Sequence, residues 1–120
     1  TGDLIYKIGK APHDKLFGRC ALVVHHGGSG TAQASVRAGV PSVVAAHGFD
    51  QPFWGRELQR IGVAGKVLSR RRLNAKKLAR AIKRACESGA LKQKARMVGE
   101  LMREEDGVAH AVKWIEERLL

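Results

Sequence analysis

The run His25-His26-Gly27-Gly28-Ser29-Gly30-Thr31 combines side chains and backbone suited to one kind of chemistry, the binding of an anion. Glycines at 27, 28 and 30 let the backbone turn sharply and approach a ligand with no Cβ in the way. Ser29 and Thr31 add hydroxyls that can donate to an anion or cap a helix. Before this run, Cys20-Ala21-Leu22-Val23-Val24 is a short continuous apolar stretch, which predicts a strand buried on both faces of a parallel sheet. After it, Ala32 to Ala38 consists of small residues and helix formers and stops at Gly39-Val40-Pro41, a helix C-terminus signal. Strand, glycine loop and helix in that order leave unpaired backbone N–H groups at the positive end of a helix dipole, which is a seat for phosphate. Of two successive residues at the carboxyl end of a strand, one faces the ligand crevice of an open α/β sheet and the other faces the core. His26 is read as the ligand-facing residue and His25 as a packed residue behind it.

A second pair has chemistry of its own. Pro41 opens another apolar strand, Ser42-Val43-Val44-Ala45-Ala46, which ends in His47-Gly48-Phe49-Asp50. Parallel strands joined by a helix run the same way, so Asp50 and Gln51 fall on the same sheet edge as the histidines. An acid beside an amide offers acceptors and donors to vicinal hydroxyls such as those of a sugar; it serves equally well at the start of the helix that Pro52 opens. No candidate general base has an acid–base partner at recognisable spacing, so no catalytic residue is assigned. Cys20 and Cys86 are too few for a disulfide framework and lack metal-ligand spacing; they predict buried thiols in a reducing, intracellular compartment.

The remaining elements have to position these groups. Leu4 to Ile8 predicts a short strand ended by Gly9, and Asp14 is placed to cap Lys15-Leu16-Phe17. A helix is expected from Phe53 to about Arg60, with Phe53, Trp54, Leu58 and Ile61 on one apolar face and Gly62 as its end. Val63 to Leu68 predicts a last strand interrupted by glycine, and Asn74 caps a helix whose buried stripe is Leu78, Ile82 and Ala85. Two more helical stretches follow, Ala90 to Arg103 and Val108 to Leu119. These elements give an α/β class: a Rossmann-like open parallel sheet of three or four strands flanked by helices, followed by C-terminal packing helices. At 120 residues and 44% hydrophobic content the chain is one domain at most. No apolar run approaches the ~20 residues of a membrane helix, and no signal-peptide core opens the chain.

Charge is the other large feature. The formal net charge is +11, and from Lys66 to Arg96 twelve Lys or Arg stand against one acid, Glu87. Solubility is ordinarily served by mixed charge. A one-signed block predicts attraction to polyanions with steep salt dependence, with Arg70, Arg71, Arg72, Lys76, Lys77, Arg80, Lys83 and Arg84 as the candidate contacts.

Four segments in order resemble a known family. Ala11-Pro12-His13-Asp14 with Leu16-Phe17, then Val23 through Thr31, then Ala38-Gly39-Val40-Pro41, then Asp50-Gln51-Pro52-Phe53-Trp54-Gly55 are similar, over about 45 residues, to the donor signature of GT-B glycosyltransferases. The similarity is to their C-terminal, donor-binding domain, in the sterol glucosyltransferase-like and antibiotic glycosyltransferase branch. The resemblance implies that His26 and the Gly28, Ser29, Gly30, Thr31 loop hold the diphosphate of a UDP-sugar, and that Asp50 and Gln51 bind its sugar. The UDP-sugar is then a substrate, and neither a cofactor nor a metal is expected. Lys10 and Lys15 stand where many relatives carry an aromatic for the nucleobase, and Ala34, with Gln33 beside it, where plant relatives carry a ribose-binding glutamate. Residues 1–120 are therefore expected to be a partial donor domain. They lack its opening strand-loop-helix unit as well as the acceptor domain with its catalytic base, and are not expected to be active alone. The open sheet then calls for cover from a missing N-terminal half or from another polypeptide. A competing expectation, from another class, is a catalytically inactive glycosyltransferase-like domain reused as a basic structural or RNA-contacting subunit of a large assembly, such as a ribonucleoprotein.

Overall fold

In the computed structural model, which describes residues 4–120, three parallel strands lie in the order β1-β2-β3: Val23–His25, Ser42–Ala46 and Leu68–Ser69. Val23 pairs with Ser42 and His25 with Val44, while Ala45 pairs with Leu68. Strand β2 is buried at every residue because both of its edges are paired and helices pack against it. The helices are α1 (His13–Leu16), α2 (Ser29–Ala38), α3 (Gln51–Arg60), α4 (Ala75–Glu87), α5 (Gly89–Glu104) and α6 (Gly107–Leu119), with 3-10 turns at Phe17–Arg19 and Arg70–Arg72. Their contacts centre on one core of Ala32, Val44, Leu58, Val63, Ala64 and Ala95, against which Trp54, Ile61 and Val67 pack. A smaller cluster of Phe17, Val23 and Val40 closes the α1 end. The α/β class and the parallel sheet agree with the sequence reading.

Several boundaries differ, each for a physical reason. Leu4 to Ile8 is not a strand: these side chains are exposed, and among the described residues no neighbouring strand bonds to them. An apolar stretch with high β-propensity does not become a strand without a partner edge. Strand β1 starts at Val23, not Cys20, and Val24 is 42% exposed, so the strand is buried on one face only. Asp14 lies inside α1 and caps nothing, since the N-cap is Pro12. Phe53 is half-exposed and stacks edge-on against Trp54, leaving Trp54, Leu58 and Ile61 as the packed face of α3. The stretch from Val63 to Leu68 touches the sheet through a single bridge, Ala64 to Ser42, before β3 forms at Leu68.

Helix α5 packs as expected and fixes α2. A Cβ on Gly99 would lie 2.6 Å from the Gly39 Cα and 2.9 Å from the Val36 carbonyl oxygen, so α5 and the C-terminal end of α2 touch backbone to backbone. Arg103 donates to the Arg37 carbonyl across the same contact. Asn74 caps α4 through the Lys77 N–H, at 2.8 Å, as its sequence position predicted. Helix α6 is capped by Asp106, yet none of its residues is buried; Val108, Val112, Ile115 and Leu119 are all exposed. The chain is correspondingly elongated, 57 × 30 × 29 Å.

Candidate functional site

His25 occupies the last position of β1, where alternation turns its side chain inward. Its Nδ1 accepts the Gly27 N–H at 3.1 Å, and its Nε2 lies 3.0 Å from the Ser42 hydroxyl oxygen. An Nδ1 that accepts leaves the proton on Nε2, so the neutral ring donates to Ser42. Burial, and then the adjacent His26, push the His25 pKa from 6.5 down to about 4. The packed role read from the sequence is met, and it has a definite purpose, since His25 fastens the turn at Gly27 to the second strand.

That turn rests on one glycine. Gly27 has φ +91°, a conformation L side chains rarely adopt, and a Cβ there would sit 2.8 Å from the Gln51 backbone oxygen. His26 is exposed, and its ring lies over Gly28, 2.8 Å from where a Cβ would stand. Helix α2 begins at Ser29, three residues earlier than expected, so Ser29, Gly30 and Thr31 form its first turn. Their N–H groups have no intrahelical acceptor, and no side chain caps the helix. Space beside Gly30 is open. Unsatisfied donors, a helix dipole and an imidazole rim converge on a position that suits an anion.

The second strand brings the acid–amide pair to the same edge. Gln51 Oε1 accepts the N–H groups of His47, at 2.7 Å, and Gly48, at 3.2 Å, so its carbonyl braces the β2–α3 turn while its amide N–H groups remain available. Asp50 is exposed; its Oδ2 accepts from the Trp54 indole at 3.0 Å and its other oxygen is available. Neither side chain caps α3, so the helix-cap reading of the pair is not met; each residue instead spends part of its hydrogen-bonding capacity on the turn and leaves part free. Phe49, at the tip, is fully exposed with φ +57°.

The chain matches the family described as Erythromycin biosynthesis protein CIII-like, C-terminal domain, over residues 3–117. It belongs to this family of GT-B glycosyltransferase C-terminal domains. It is 44% identical over 111 residues to a sterol 3-beta-glucosyltransferase of Eremothecium gossypii, covering 92% of this chain and 9% of that protein. To the O-mycaminosyltylonolide 6-deoxyallosyltransferase of Streptomyces fradiae it is 40% identical over 116 residues, covering 97% of this chain and 27% of the other. The solved structure of the glycotransferase of kitacinnamycin superposes with a TM-score of 0.82 at 24% identity, over 92% of this chain and 29% of that one, a likeness of fold. The chain thus spans less than a third of the length of these relatives.

Within this family domain, His47 lies beside the candidate site, a place that the sequence reading did not give it. It stands at the carboxyl end of β2, edge-on to His26 with ring centroids 6.2 Å apart, and its Nδ1–H donates to the Ala45 carbonyl at 3.0 Å. A polar residue directly after a buried strand was the available signal. Ser42 was passed over as well, because a lone serine in an apolar strand carries no signal until its partner is known. The basic block is spread over three hollows: Arg71 lines one beside His47, Arg72 a second, Arg80 and Arg84 a third, while Lys77 borders the last two. Arg70, Lys76 and Lys83 are exposed and line none of them. Among the described residues no helix is long and apolar enough to cross a membrane.

Proposed function

We propose that this domain is the nucleotide-sugar-binding part of a glycosyltransferase that moves a hexose from a UDP-sugar to the hydroxyl of a lipid or small molecule. The observation that carries the reading is the backbone contact between Gly27 and Gln51, which sets the uncapped α2 N-terminus with His26 next to Asp50 and Gln51. A diphosphate and the sugar it bears have the same adjacency. The relatives named above as a sterol 3-beta-glucosyltransferase and an O-mycaminosyltylonolide 6-deoxyallosyltransferase support the acceptor class.

In such a transfer the acceptor oxygen attacks the anomeric carbon, the bond from that carbon to the diphosphate oxygen breaks, and negative charge develops on the leaving diphosphate. The N–H groups of Ser29, Gly30 and Thr31 and the His26 ring act there, where stabilisation is greater in the transition state than in the ground state. Asp50 and the Gln51 amide hold the sugar hydroxyls. The proton of the acceptor hydroxyl passes to a base that is not assigned within residues 4–120. Calorimetric titration of UDP and UDP-glucose tests the reading. His26→Ala should weaken both ligands by roughly tenfold, about 1.4 kcal/mol each, whereas Asp50→Ala should weaken UDP-glucose alone. Equal losses for both ligands in the Asp50 variant would make that residue structural, and unchanged binding in the His26 variant would remove the diphosphate assignment.

A further inference from the structure

At the β3 end of the sheet, away from the β1 edge, Lys66 and Leu68 border three adjoining hollows of about 430, 210 and 340 Å³. The 210 Å³ hollow lies between the sheet and α4. Lys66, Lys77, Arg80 and Arg84 form its rim. The last three, spaced three and four residues apart, share one face of α4. Its floor is apolar, made by Val43, Ala81, Ala85 and Leu91. No Asp or Glu lines any of the three hollows, and none is lined by Phe, Tyr or Trp. Among the described residues none of the four rim cations forms a salt bridge; Lys77 Nζ donates to the Arg72 carbonyl at 3.0 Å.

Four uncompensated positive charges around a concave surface repel one another, and an anion relieves that repulsion. The floor narrows which anion. A free phosphate is fully hydrated and gains nothing from Val43 or Leu91, and single-stranded or looped nucleic acid is held by aromatic platforms that these hollows lack. A phosphate carried on a hydrocarbon stem uses both the rim and the floor. We propose that this groove is a docking surface for anionic phospholipid headgroups at a bilayer surface, separate from the His26 and Asp50 site.

Co-sedimentation with phosphatidylcholine vesicles, with and without phosphatidylglycerol, tests it. Binding should require phosphatidylglycerol and weaken as salt rises. Each rim cation contributes about fivefold in affinity near an anionic surface, so the combined Lys66→Gln, Lys77→Gln, Arg80→Gln, Arg84→Gln variant should lose more than a hundredfold. A matched variant with Lys76, Lys83, Lys92 and Lys113 changed to Gln, which has the same net charge, should lose about tenfold or less. Ala81→Leu fills the floor while keeping every charge, and should weaken vesicle binding severalfold with an unchanged circular dichroism spectrum. Equal losses in the two charge variants would overturn the proposal, because net charge alone would then explain the attraction. Competition by inorganic phosphate at unchanged salt concentration would identify a soluble phosphate as the occupant, and tighter binding of an RNA hairpin with the same sensitivity to the rim variant would identify a nucleic acid; either would overturn it.

Discussion

The backbone oxygen of Gln51 lies 2.8 Å from the position a Cβ on Gly27 would occupy, so the turn that presents His26 and the turn that presents Asp50 rest on each other without a side chain between them. Gly27→Ala should therefore act twice. The φ of +91° strains any L side chain, and the added methyl forces the Gln51 carbonyl to move. Urea denaturation should show a loss of about 2–3 kcal/mol, and UDP-glucose binding should fall even where the variant remains folded. A fully folded variant with unaltered binding would show that the two turns are not coupled.

Gln51 allows the brace and the ligand contact to be separated. Glutamate at this position keeps an oxygen for the N–H groups of His47 and Gly48, replaces the free amide donor with an acceptor and adds a negative charge. Stability of Gln51→Glu should stay within about 1 kcal/mol of the parent, while UDP-glucose binding drops by more than UDP binding, which loses only what the added charge costs. If the two ligands lost equally, Gln51 would be a brace alone.

Acid should loosen the same turn through His25. Its pKa is about 4 in the folded chain against an ordinary 6.5, so between those values the unfolded chain binds more protons. The contribution is fully present above pH 6.5 and is lost as pH falls toward 4. It amounts to roughly 2 kcal/mol once allowance is made for solvent reaching the ring. Protonation also turns Nδ1 from an acceptor into a donor facing the Gly27 N–H. Denaturation midpoints followed from pH 7 to pH 4 should show this slope, and His25→Gln should flatten it.

The turns that carry the candidate residues were legible because each needs a residue type at a fixed place after a strand: glycine where φ turns positive, histidine at the strand end, acid and amide at the next helix start. Whether a residue pairs across the fold was not legible. Ser42 and His47 have roles only once β1 and β2 are in register, with His25 opposite Val44. Leu4 to Ile8 misled for the opposite reason, since β-propensity is a local property and strand formation needs a neighbour. Val24 misled in the same way. Its apolar run implied two covered faces, while the face that carries Val24 is left open.

Remote support of the anion seat should appear at Gly99. Alanine there would overlap the Gly39 backbone and push α5 away from α2. A loss of about 1–3 kcal/mol is expected from overpacking, together with weaker UDP binding, although Gly99 lies on α5 and outside the ligand-facing turns. A larger side chain such as Leu should prevent folding. Thermal melts and UDP titration of Gly99→Ala check both parts.

Helix α6 draws nothing from the core and is held by local terms: the Asp106 cap, the Lys113–Glu117 pair at 3.9 Å and the Arg118 guanidinium 4.6 Å above Trp114. Thirteen residues are marginal for a helix left to itself in water. Deuterium should therefore enter the α6 amides long before those of α2, which α5 clamps. The helix becomes a built-in reporter: any surface that comes to lie over Val112 and Ile115 will register as slowed exchange in α6.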